Sequence, residues 1–194
     1  MENKEIEQHP LGFFLPENTR LLMLGSFPPP KPRWSMNFYY PNIQNDMWRI
    51  LGLIFYQNKE YFLETPKRFS EEKAKAFCLE KGIGIGDTAV EIVRLKNNAS
   101  DNFLQVVTPL DPAEILSRIP ACEAIVVTGQ KAMDTLMPLL PPLEAPKVGS
   151  YSRFTLLDRV FRLYRMPSSS RAYPKPLEEK AAVYRQMFKE LHML

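Results

Sequence analysis

Residues 20–48 read RLLMLGSFPPPKPRWSMNFYYPNIQNDMW, and this stretch decides the fold. Arg20 to Leu24 is a short apolar run closed by Gly25, the pattern of a buried parallel strand. Ser26, Phe27 and the prolines Pro28, Pro29 and Pro30 follow. Proline lacks the ladder N–H and cannot extend a strand, so the segment reads as a stiff loop at the strand's C-terminal end. Lys31, Arg33, Trp34, Phe38, Tyr39 and Tyr40 then supply cations and planar rings, and Asn42 to Trp48 enters an amphipathic helix through Ile50, Leu51 and Phe55. Ligands of open α/β sheets bind just beyond the carboxyl ends of the strands. Each ring taken singly fits a core position. Together they suit a flat, polar ligand beside a phosphate chain.

Outward from this stretch, strands alternate with helices. Residues 1–19 read as an N-terminal arm or short helix laid on the body. Ser70 is a predicted N-cap, with Glu71 and Glu72 in the first turn and Gly82 closing the helix after Lys81. Gly82 to Thr88, GIGIGDT, reads as a second strand; its glycines lack the GxGxxG spacing of a dinucleotide loop. A polar loop at 94–102 and an extended piece at 103–107 precede Asp111-Pro112-Ala113-Glu114, the start of a helix with a capping box. Ala124 to Thr128 is the clearest core strand, followed by a helix stopped at Pro138 and a proline-rich crossover at 138–150. Val160 to Met166 alternates apolar and polar as a last strand, and a helix at about 176–192 places Leu177, Ala181, Tyr184, Phe188 and Leu191 on one face. This order predicts a parallel α/β sandwich.

At 194 residues and 45% hydrophobic content, one domain spanning 1–194 is the expectation. No apolar run approaches a membrane span, and MENKEIEQ lacks the pattern of a signal peptide. Cys78 and Cys122, without CxxC spacing, point to reduced thiols in a cytoplasmic protein with no zinc site. His9 and His192 lie near the termini, which argues against a histidine triad or a His-ligated metal. A net charge of +3 permits nucleic-acid binding without requiring it.

The strand-GSFP motif at Gly25–Pro28, followed by FYYPNIQNDMW at 38–48, resembles the uracil-DNA glycosylase superfamily, and within it the DNA-deoxyinosine branch. The likeness covers about residues 20–190, with little from 56–80 and 138–158. It implies a three-layer sandwich around a mainly parallel four-stranded sheet. It also implies a monomeric, monofunctional enzyme that removes a deaminated base from DNA without metal or cofactor. Such an enzyme flips the nucleotide, grips the base and stabilises its departing negative charge with hydrogen-bond donors.

The resemblance distributes these roles. Phe27 stands where many members carry a water-positioning Asp or Asn; the amides of Ser26 or Phe27 remain donors to a base carbonyl. Tyr40 falls on the ring that stacks against the flipped base. Asn45 falls on an asparagine that could hold water or the base edge, and it equally fits a helix N-cap. Asp87 falls on the asparagine that reads uracil, where an ionised carboxylate accepts the base N–H but opposes the adjacent carbonyl. It fits a turn cap equally well. In MPSSSRAYP, Met166 replaces a histidine, Ser168, Ser169 and Ser170 keep hydroxyls for phosphate, and Arg171 reaches toward the groove. Lys31 and Arg33 are the remaining DNA contacts. Two other readings stay open: a noncatalytic nucleic-acid-binding protein of the same fold, and an enzyme acting on free nucleosides.

Overall fold

The computed structural model describes residues 5–96, 98 and 100–194. Its elements run β1 (Ile6–Gln8), β2 (Leu21–Gly25), α1 (Met47–Tyr56), β3 (Leu63–Thr65), β4 (Arg68–Phe69), α2 (Glu71–Lys81), β5 (Ile83–Asp87) and β6 (Ala89–Arg94). They continue with β7 (Leu104–Pro109), α3 (Pro112–Ser117), β8 (Ala124–Thr128), α4 (Gln130–Leu136), β9 (Ser150–Leu156), β10 (Arg159–Met166) and α5 (Leu177–Glu190).

The central sheet has the order β5-β2-β8-β10-β9. β5, β2, β8 and β10 run parallel, with Leu22 opposite both Gly84 and Ile125. Every residue of β2, β5 and β8 is buried, as expected when helices cover both faces. Alternation along β2 divides the core. Leu21 and Met23 join α1, α2 and α5 on one face, while Leu22 and Leu24 join α3 and α4 on the other. The result is the expected three-layer α/β sandwich. Trp48 lies fully inside the first layer and donates its indole N–H to the Tyr39 carbonyl at 3.0 Å.

The sheet has five strands rather than the expected four. β9, within and beyond the anticipated crossover, pairs antiparallel with β10 through a two-residue turn. That turn is Leu157-Asp158, both left-handed (φ 54° and 57°), where Asn-Gly would have signalled a hairpin. A second sheet, β1-β6-β7, is antiparallel and packs Phe27 with Ala89, Ile92 and Leu104. The expected polar loop at 94–102 begins only after Arg94, the last residue of β6; its Asn97 and Ala99 lie outside the described residues.

The caps follow the sequence reading. Ser70 accepts the Lys73 amide at 3.2 Å, and Gly82 closes α2 at φ 67°. Asp111 accepts the Glu114 amide at 3.1 Å to start α3.

The described part of the N-terminal arm is extended, not helical. After β1 it crosses to the free edge of β5, where Phe14 and Ile85 exchange two backbone hydrogen bonds of 2.9 Å. This covers an otherwise unpaired sheet edge. The alternating glycines of β5 make room for it: a β-carbon on Gly86 would lie 2.2 Å from the Phe13 ring, and one on Gly84 would lie 3.2 Å from Leu15.

Candidate functional site

The C-terminal ends of β5, β2 and β8 bring Asp87, Gly25 and Thr128 side by side. Gly25 is the floor of the site. A β-carbon there would lie 2.6 Å from Asp87 Oδ1 and 3.6 Å from the Tyr40 hydroxyl, so only glycine lets both groups approach the strand end. The Tyr40 hydroxyl is 3.4 Å from Thr128 Oγ1. Tyr40 reaches this place through a left-handed backbone (φ 52°), a costly conformation for a bulky residue that persists only where surrounding packing imposes it. Next door, Thr88 N–H donates to the Gly25 carbonyl at 2.8 Å and Ala89 N–H to that of Ser26 at 3.2 Å, fixing the turn between β5 and β6 against the GSFP loop.

His9 enters from the arm. Its Nε2 donates to Asp87 Oδ2 at 2.7 Å, with both side chains buried. The imidazole meets the Phe27 ring edge-on at 5.1 Å and tilts against Tyr39 at 5.7 Å. Although 78 residues separate His9 from Asp87, they form one pair, which its place near the terminus did not suggest.

Asp101 also belongs here. Burial raises its pKa and the Asp87 charge adds to the rise, while a hydrogen bond from Ser26 and the cations of Lys131 and Arg94 oppose it. Burial, reinforced by the negative field of Asp87, likewise pushes the Tyr39 and Tyr40 hydroxyls far above the ordinary phenol value. Both therefore stay O–H donors at any physiological pH. Neither His9 nor Asp101 had a local signal: one sits in a polar arm beside Pro10, the other in a polar loop.

The other expected site residues divide. Phe27 is only 7% exposed and packs into the small sheet, its ring nearly perpendicular to that of His9. Lys31 and Arg33 are exposed on a short 3-10 turn, with the Lys31 ammonium 3.8 Å from the centre of the Trp34 ring. The loop carrying them is braced by the Trp34 indole N–H donating to the Pro29 carbonyl at 2.7 Å.

Farther along the same edge, Asn45 forms an isolated bridge with Ser170. Its Oδ1 accepts the Met47 amide at 2.9 Å, the first N–H of α1, while Asp46 rather than Asn45 is the N-cap; the Asn45 amide nitrogen makes no hydrogen bond among the described residues. Ser168 and Ser170 accept the amides of Ser170 and Ala172, each at 3.2 Å, which leaves both hydroxyl hydrogens free to donate. Ser169 is 3% exposed, whereas Ser168 and Ser170 are half-buried. Arg171 is half-exposed and donates through Nε to Asp46 at 3.1 Å, held by that carboxylate rather than projecting freely. Helix α5 clamps the loop from beneath: the buried Lys180 ammonium donates to the Ser170 carbonyl and the Tyr184 hydroxyl to that of Pro167, both at 2.8 Å. Met166 is buried at the end of β10.

Two surface hollows lie away from Gly25. One, of about 430 Å³, separates Leu53 from Ala181 and Arg185; the other, of about 390 Å³, is lined by Arg49, Lys59 and Arg171. Among the described residues no helix is long and apolar enough to cross a membrane.

No family model and no curated protein matches the chain. Among solved structures, it is similar to the solution NMR structure of a "putative Uracil DNA glycosylase" from Methanosarcina acetivorans. The TM-score is 0.63 at 22% identity, over 94% of this chain and 99% of that one. The two share a fold. At this identity the likeness carries the architecture, and the chemistry must be argued from the strand-end residues.

Proposed function

We propose that the protein is a monofunctional DNA glycosylase that flips a deaminated nucleotide from DNA and hydrolyses its N-glycosidic bond, hypoxanthine first and uracil second. The observation that carries this reading is the pair over Gly25. Asp87 Oδ1 is an acceptor and the Tyr40 hydroxyl a donor, and both lie within 4 Å of a single point at the strand end. Hypoxanthine and uracil present an N–H beside a carbonyl, which this pair complements. The Tyr40 donor also answers the conflict between an ionised Asp87 and the base carbonyl. In this reading Tyr40 acts through its hydroxyl as well as its face. The Ser26 amide adds a donor, and the free amide N–H groups of Asn45 hold water or the base edge.

Lys31, Arg33, Arg171 and the hydroxyls of Ser168 and Ser170 take phosphates, so affinity for duplex DNA falls steeply with salt. The protein acts as a monomer of one domain, in the cytoplasm, in base excision repair, and the reaction calls for no metal or cofactor. Single-turnover assays on duplexes containing hypoxanthine, uracil, xanthine or a thymine mismatch test the proposal. Release is expected from hypoxanthine, then uracil, and is expected to survive EDTA. Absence of release from all four would overturn it.

One observation favours the noncatalytic alternative: the Asn45 carboxamide oxygen is already committed to the Met47 amide. Tight, lesion-selective binding without base release would establish that reading.

A further inference from the structure

Resting on the glycosylase reading, we propose that His9 is the positioning residue of Asp87, and that the pair makes the site select bases carrying a ring N–H. The geometry is explicit. Nε2 of His9 takes Asp87 Oδ2 at 2.7 Å, which leaves Oδ1 as the oxygen over Gly25. The other ring nitrogen, Nδ1, is 2.5 Å from the Leu11 carbonyl oxygen and 3.1 Å from the Leu11 amide, so the imidazole is held at both ends.

The backbone beneath the ring is anchored as well. His9 N–H donates to the Val90 carbonyl at 2.8 Å. Before it, Arg94 grips Glu7 through Nε at 3.0 Å and through Nη2 at 3.1 Å. After it, Phe14 is bonded to Ile85. An arm fastened on both sides delivers one donor to one carboxylate oxygen.

The consequence concerns recognition. A buried carboxylate without a partner is costly and free to rotate about its Cβ–Cγ bond. Paired with His9, it keeps one oxygen fixed as an acceptor at the strand end. Deamination of adenine or cytosine replaces a ring-nitrogen lone pair by an N–H at the corresponding edge position. The fixed oxygen accepts that N–H, whereas the lone pair of undamaged adenine or cytosine would face it acceptor to acceptor. Such a mismatch leaves two desolvated acceptors unpaired, a repulsive element that discriminates more strongly than an added contact. The site thus reads the atom that deamination changes, through a side chain supplied by the N-terminal arm.

The test compares His9→Leu, which keeps an apolar body against Phe27 and Tyr39 but has no donor, with His9→Gln, which keeps an N–H at similar reach. Single-turnover release from hypoxanthine duplexes is expected to fall about 100-fold in His9→Leu and to recover to within about tenfold of wild type in His9→Gln. In an Asp87→Asn background, where no carboxylate needs fixing, His9→Leu is expected to cost less than threefold. Equal losses for His9→Leu in both backgrounds would assign His9 to packing and overturn the proposal. So would a rate unchanged by His9→Leu.

Binding to duplexes with hypoxanthine or adenine at one position separates this failure from that of the glycosylase reading. If wild type releases no base but prefers hypoxanthine, and His9→Leu loses that preference, the glycosylase reading falls and the His9–Asp87 role stands. No preference in wild type overturns both.

Discussion

At the β2–β5 end of the sheet edge, Asp87, Asp101, Tyr39 and Tyr40 are crowded out of water, and burial displaces the titration of Asp101 and of both tyrosines. At the β10 end, polar groups are matched to neighbours: Ser168 to an amide, Arg171 to Asp46, and Lys180 and Tyr184 to carbonyls of the loop. Both ends sit at carboxyl termini of parallel strands, and burial displaces the titration of Lys180 and Tyr184 as well; the first end differs in gathering two acids, Asp87 and Asp101, beside two buried phenols. Crowding of this kind suits bond making and breaking, because charged and polar groups interact most strongly where water is excluded. A loop pinned through its backbone carbonyls suits holding a shape against which a duplex can dock.

The contrast predicts that substitutions at the first end cost rate and those at the second cost stability or binding. The largest effect is expected for Gly25→Ala, whose β-carbon would meet Asp87 Oδ1 at 2.6 Å. Displacing that oxygen should lower single-turnover base release by about 10³-fold, the upper scale for a lost transition-state hydrogen bond. Near-wild-type release from this variant would remove Asp87 from the site.

Asn45 lies between the two ends and sharpens the comparison. Asn45→Asp keeps the oxygen that takes the Met47 amide but loses the amide donors. Release is expected to fall about 10²-fold with the thermal midpoint unchanged. An unaltered rate would place Asn45 wholly with the structural end.

Tyr184→Phe removes the hydroxyl that donates to the Pro167 carbonyl and leaves that oxygen unpaired in a buried place. Chemical denaturation should show a loss of about 1–3 kcal/mol. The rate on a hypoxanthine duplex should change far less than with Gly25→Ala.

The smallest effect concerns Asp101. Its folded pKa lies above the ordinary carboxylate value, chiefly through burial, so the folded state holds that proton more tightly than the unfolded chain. The associated stability is full below the ordinary value and is lost as pH rises through the raised one. Asp101→Asn, neutral throughout, should therefore gain stability over wild type as pH rises across that window. Stability curves that stay parallel from acid to neutral pH would show that Asp101 is not under electrostatic stress.

The parallel strands, the caps at Ser70, Gly82 and Asp111, and the buried Trp48 were all legible in the sequence. They follow from local patterns: apolar runs with turn residues at their ends, oxygens placed before helices, and a large ring on an amphipathic face. The position of Gly25 at a strand's carboxyl end was legible for the same reason. The β9 strand was not, because Leu157 and Asp158 adopt left-handed turn conformations that their residue types do not announce.

Nor was the composition of the site. His9 meets Asp87 across 78 residues, which joins a strand end to the N-terminal arm. Ser169 carried the residue type expected of a phosphate contact, yet tertiary packing leaves it 3% exposed. Periodicity and capping act over one turn or one strand, and a sequence displays them directly. Which side chains share a strand end depends on chain crossing and on an arm finding the glycine face of β5, and only the folded chain resolves those contacts.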